Sequence, residues 1–164
     1  MKKLFTFQIF IFSFLINING FSQPFLQWVS TYNDSLNTTN QLKNISKDSL
    51  GNVFVCCSGL GVMTLKYNSN GQFQWQKFFG SFNSIPVYSI ATKNGNIYTA
   101  GLVPEVHGLK VVKYDESGNV LDSCSTDITW WVNEFVMDDY ENCYFVGTEN
   151  INDNEILLLK YDSS

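Results

Sequence analysis

The sequence contains no arginine, a single histidine and only three prolines in 164 residues. Its ten cationic side chains are all lysines, set against fifteen carboxylates. Without a basic patch to neutralise phosphates, nucleic acid and anionic membrane surfaces are poor partners for it. A lone His107 leaves every serine and cysteine without a credible triad context, because no orienting partner for it is visible in the spacing. The four cysteines, Cys56, Cys57, Cys124 and Cys143, match no zinc-ligand spacing, so neither a metal site nor a cofactor is expected. Beyond the first residues no stretch carries a sustained apolar period of 3.6, which excludes a helical domain. No feature points to paired carboxylates for glycoside chemistry.

What is present begins with an address. Lys2 and Lys3 precede an apolar run from Leu4 to Ile18, interrupted only by Thr6, Gln8, Ser13 and Asn17. Gly20 and Ser22 supply small residues at −3 and −1 of a cut before Gln23. That layout is a secretory signal peptide over 1–22, and its apolar run is shorter than the ~20 residues a spanning helix needs. The expected location is therefore secreted, periplasmic or on the cell surface, with no membrane insertion after cleavage. Removing Lys2 and Lys3 moves the net charge from −5 to −7, a balance that serves solubility.

The remainder, 23–164, repeats itself. Lys66, Lys113 and Lys160, each followed by tyrosine, are spaced by 47 and 47, and the same interval separates "QW" at 27–28 from "QW" at 74–75. A second phrase precedes each lysine: "ISKDSLGNVFVCCSG" at 45–59, "IATKNGNIYTAG" at 90–101 and "FVMDDYENCYFVG" at 135–147. Asn52, Asn96 and Asn142 align these phrases at intervals of 44 and 46, so small insertions fall in the connecting turns. Self-similarity at this period is the signature of a repeat architecture.

Each unit contains strand signals separated by turn chemistry. In the first they span 42–47, 52–57, 62–67 and 72–78; in the third, 132–138, 142–147 and 156–161. Gly71 and Gly118 are placed to take the positive φ of a tight hairpin, and the Asp and Asn residues around them to form local side-chain turns. Turn chemistry accounts for Asp48, Asn68, Asn70, Asp115, Asp138 and Asp139 without a calcium loop, whose carboxylate series is missing. Cys143 aligns with Val53 and Ile97, so packing explains it. Adjacent Cys56 and Cys57 must face opposite sides of their strand. Four cysteines in an oxidising compartment would otherwise permit three disulfide pairings.

Units of this length with four strands each are β-propeller blades. The phrases "I-x-x-D-x-x-G-N-V-x-V" and "L-K-Y-N-S-N-G-Q-x-Q-W" resemble the β-propeller repeats of secreted bacterial proteins, and are especially similar to those of Bacteroidota surface and exported proteins. The resemblance covers 25–164 and implies fold far more than function, because such repeats are scaffolds in many unrelated proteins. The expected architecture is all-β, with three four-stranded propeller-type blades at about 33–80, 81–127 and 128–164. The third unit stops before its fourth strand. A segment matching that strand, "FLQWVSTY" at 25–32, stands at the other end, and is expected as the outer strand of the last blade. Three blades fall short of the usual four to eight. The propeller is thus incomplete or completed by an oligomer, and a homodimer would make a six-bladed ring.

Candidate binding residues are those the repeat does not require. Trp130 and Trp131 lie between the last strand of unit two and the first of unit three, and shifted by one repeat they correspond to Asn83 and Ser84, so the repeat does not require them. His107 lies in the "LVPEVHG" loop, which opens on the same face of a propeller. An aromatic pair near a histidine suits a sugar ring or a peptide, whereas structurally Trp131 would start a strand and His107 would be solvated. The resulting expectation is an exported, non-catalytic binding scaffold with an unknown protein or glycan partner. The alternatives are a fragment of a larger propeller enzyme, of lyase or glycosidase type, and a truncated gene product.

Overall fold

The computed structural model describes residues 26–33, 41–81, 83–91, 94–127, 131–148 and 155–162. The expected signal peptide and Trp130 lie outside these residues. The rest form three antiparallel meanders. β1 (Leu42–Lys47), β2 (Val53–Ser58), β3 (Val62–Tyr67) and β4 (Phe73–Phe79) make the first sheet. β5 (Ile85–Ala91), β6 (Ile97–Val103), β7 (Gly108–Tyr114) and β8 (Val120–Ser125) make the second, and β9 (Trp131–Met137), β10 (Cys143–Thr148) and β11 (Ile156–Tyr161) the third. The expected strands are displaced by no more than one residue. The chain is all-β, and its sheets are propeller-type blades; a 3₁₀ turn at Pro104–Val106 links β6 to β7.

One local device recurs at four hairpins. Asp48 Oδ1 accepts the N–H groups of Leu50 (2.9 Å) and Asn52 (2.8 Å), while Oδ2 accepts the Asn52 amide at 2.7 Å. Asp115 does the same with Ser117 and Asn119, and Asp138 with Tyr140 and Asn142. Asn68 is the fourth example, accepting from Asn70 and Gln72. The side chain thereby reproduces the backbone turn bonds, which is why Asp and Asn are selected there. Each hairpin also needs one left-handed residue, supplied by Gly51, Gly71 and Gly118 at φ 84°, 75° and 82°.

Packing joins the blades face to face. Phe54, Trp75 and Phe79 of blade one close on Ile97, Val112 and Tyr114 of blade two, with Trp75 and Tyr114 ring centroids 6.2 Å apart. Thr64 and Thr99, both fully buried, share a 2.6 Å hydroxyl–hydroxyl hydrogen bond across this joint. Blade two then packs Tyr98, Ala100, Leu109 and Val111 against Phe135, Cys143 and Phe145 of blade three. Phe135 stacks on Phe145 at 4.4 Å. All four cysteines are free thiols. Cys57 packs with Met63, Leu65 and Tyr67, on the face opposite Cys56, and Cys143 is core, so packing is their role.

Residues 26–33 pair with no strand among the described residues. They nonetheless lie across blade one in a specific way. A Cβ built on Gly71 would meet the Trp28 ring at 2.5 Å, just as one on Gly118 would meet the Trp75 ring at 3.1 Å. Tyr32 continues the contact, its ring 5.8 Å from Phe73 and its hydroxyl donating to Gln76.

Gly71→Val meets both obstacles at once, a positive φ and the Trp28 ring. It should lower stability by about 1–3 kcal/mol in a denaturant melt, and should quench or shift Trp28 fluorescence before the global transition.

Candidate functional site

The β6–β7 loop carries His107 at φ 53°, with its N–H donating to Pro104 O at 3.1 Å and its side chain exposed. Gly108, next to it, lies so close to the backbone of Thr126 and Asp127 that no Cβ fits, and Thr126 N–H donates to Leu109 O at 2.9 Å. The loop therefore touches the chain leading towards the Trp pair. Trp131 opens β9, paired with Thr148. The β6–β7 loop and the segment just after β8 thus meet at Thr126 and Asp127, at one end of blade two.

A second constellation was not among the sequence candidates. Glu141 stands at the left-handed position that Gly51 and Gly95 hold in the other units, with φ 65°. Such a backbone costs a non-glycine residue energy unless its surroundings hold it there. They do. Its carboxylate is 9% exposed and reaches from blade three into blade two. There Oε1 accepts from the Asn94 and Asn96 amides at 3.2 and 3.1 Å. Oε2 accepts from Tyr98 Oη at 2.8 Å and from Lys113 Nζ at 3.1 Å. The break of D-x-x-G-N into D-D-Y-E-N at 138–142 is the signal that marks it in the sequence.

The same lysine position works differently at the first joint. Lys66 Nζ donates to the Glu116 carbonyl at 2.7 Å, and Trp75 Nε1 donates to the same oxygen at 3.0 Å. Lys66 and Lys113 each lie over an aromatic ring of their own blade, Phe54 and Tyr98, at 5.6 and 5.1 Å. The repeat thus fixes a lysine above an aromatic ring and lets it tie to whatever acceptor the next blade presents.

Beside Glu141 a cleft of about 300 Å³ opens between blades two and three, lined among others by Tyr98, Lys113, Asp122, Cys124 and Tyr161. Its electrostatics favour neutral groups and a retained ammonium. Burial pushes Tyr98, Tyr161 and Cys143 up to about 12. The hydrogen bond to Tyr98, then that to Glu141, raises Lys113. Burial also raises Cys124, so no thiol at the cleft is set up as a thiolate nucleophile. Glu141, with four donors on its two oxygens, is a structural tie rather than a free base. Among the described residues no group of three or more His, Cys, Asp or Glu side chains is placed to hold a metal ion.

No protein-family model matches the chain, and no curated protein matches it. Among solved structures it is similar to a protein of unknown function from Bacteroides caccae, at 12% identity and a TM-score of 0.48. It is also similar to BamB from Moraxella catarrhalis, at 11% identity and a TM-score of 0.47. The alignments cover 76% and 72% of this chain but span only 61% and 30% of those two proteins. The assignment to propeller blades rests on the sheets described above.

Glu141→Ala leaves Lys113 and Tyr98 without their acceptor at the joint. It should cost about 1–3 kcal/mol, and hydrogen exchange should quicken in β9–β11 while β1–β4 keep their protection. Alkaline pH should weaken the same joint. Tyr98, Tyr161 and Cys143 hold their protons to about 12 in the folded chain, against ordinary values of 10.0 and 9.0. The unfolded chain therefore releases protons first, and stability falls as pH rises from 9 towards 12. Denaturant midpoints at pH 7, 9 and 11 should decline in that order.

Proposed function

We propose that this is an exported, non-catalytic β-propeller scaffold that works by binding. The observation that carries the reading is the distribution of apolar surface. Leu42 and Ile45 on blade one are 75% and 69% exposed, and Ile156 and Leu158 on blade three are 78% and 73% exposed. Contiguous exposed apolar surface on a folded domain marks an interaction site. The groups with reactive potential, by contrast, are tied up: Glu141 by four donors, and the Cys143 thiol by burial. Export is supported by the Lys2–Ser22 layout and by the likeness of the repeat phrases to those of exported Bacteroidota proteins. Among the described residues no helix is long and apolar enough to cross a membrane. The proposed place for a protein or glycan ligand is the end of blade two that carries His107, next to the start of β9 at Trp131.

The purified chain should be run against glycan and peptide arrays beside a panel of lyase and glycosidase substrates. Saturable binding without turnover, weakened by Trp131→Ala, is the expected result. Turnover of any substrate in the panel overturns the non-catalytic reading.

A further inference from the structure

The two open blade faces are copies of the two halves of a joint that the chain already makes. At the first joint, blade one contributes Phe54, Cys56, Val62, Thr64, Lys66 and Trp75, and blade two receives them with Ile97, Thr99, Gly101, Val112 and Tyr114. The strand registers align Val53, Val55, Cys57, Leu65 and Tyr67 of blade one with that receiving set. No neighbouring sheet covers them among the described residues, although Cys57, Leu65 and Tyr67 are already buried, with Tyr32 packed against their cluster. They line an apolar hollow of about 380 Å³, together with Leu42 and Ile45. The registers equally align Tyr144, Val146, Ile156, Leu158 and Lys160 of blade three with the contributing set, and they too face no sheet among the described residues. Lys160 even keeps the family trait of its position, standing 5.7 Å over the Tyr144 ring as Lys66 stands over Phe54.

Among the described residues no outer strand, and so no counterpart of Trp75, stands beside β11 of blade three. Such a counterpart is already seated on the receiving face: Trp28 lies on Gly71 as Trp75 lies on Gly118, both pairs being related by the 47-residue repeat. Residues 26–33 thus occupy the place of the outer strand of a blade preceding blade one, and the edge of β11, unpaired among the described residues, is the edge such a strand would pair with.

We infer that the occupant of both faces is a second copy of this chain, blade three of each copy packing on blade one of the other. The two contacts are identical, so the pair is two-fold and the ring closes at six blades. Residues 26–33 of one copy then complete the third blade of its partner. This deepens the scaffold reading, on which it rests, by naming a partner.

The joint supplies its own ruler. Thr64 and Thr99, whose hydroxyls are 2.6 Å apart, correspond to Leu158 and Val55 on the open faces. In a Cys57→Ala, Cys124→Ser background, Leu158→Cys and Val55→Cys combined in one chain should oxidise to a dimer joined by two disulfides. The two single variants, mixed, should give a dimer with one disulfide, and neither alone should crosslink. Light scattering of the unmodified secreted chain should give twice the mass of one copy, and deletion of residues 23–32 should return it to one. A folded monomer in light scattering overturns the inference. So does self-crosslinking of Leu158→Cys alone, which would mean that like faces meet, or a ladder of trimers and larger species, which would mean an open chain. The array and turnover measurements are independent of these results, so the failure of either idea is visible without the other.

Discussion

Every sheet here depends on a neighbour to cover one of its faces. A four-stranded meander of this length exposes apolar side chains on both sides, and burying one side against the next blade supplies the larger part of its stability. The joint is built from a small set of positions: an aromatic residue in the second strand, a lysine above it, and an outer-strand tryptophan laid on the glycine of the next blade's turn. Phe54, Lys66, Trp75 and Gly118 are that set in its complete form. The glycine is required twice over, by its positive φ and by the ring that rests on it.

The second joint shows how the design tolerates change. Glu141 replaces a turn glycine and accepts backbone strain, and its carboxylate collects Asn94, Asn96, Tyr98 and Lys113 from the facing blade. A buried charge is stable only when its hydrogen-bonding capacity is used, and here both oxygens are engaged. Charge and aromatic packing thus serve one purpose at both joints, which is to hold the angle between sheets. Any function placed on the loops inherits its geometry from these ties.

How much was legible in advance follows from the range of each interaction. Alternating β-branched and aromatic residues placed the strands within one residue, and D-x-x-G-N marked the hairpins, because both signals act over fewer than about six residues. The glycines at 71 and 118 were legible for the same reason. Glu141 was passed over: a carboxylate in a turn reads as solvated until the facing blade is seen beside it. His107, Trp130 and Trp131 were chosen as departures from the repeat. The departure with four hydrogen-bond donors around it was a different one.

The sequence by itself determined an all-β repeat of three units with its turns and its lysine–tyrosine register, since these are set by local sterics and side-chain hydrogen bonds. Only the tertiary structure decided which face of each strand meets which neighbour, that Glu141 crosses a joint, and that Trp28 rests on Gly71. Those outcomes depend on contacts between residues 28 to 47 positions apart, whose meeting is governed by sheet-on-sheet packing and leaves no mark in any short window of the chain.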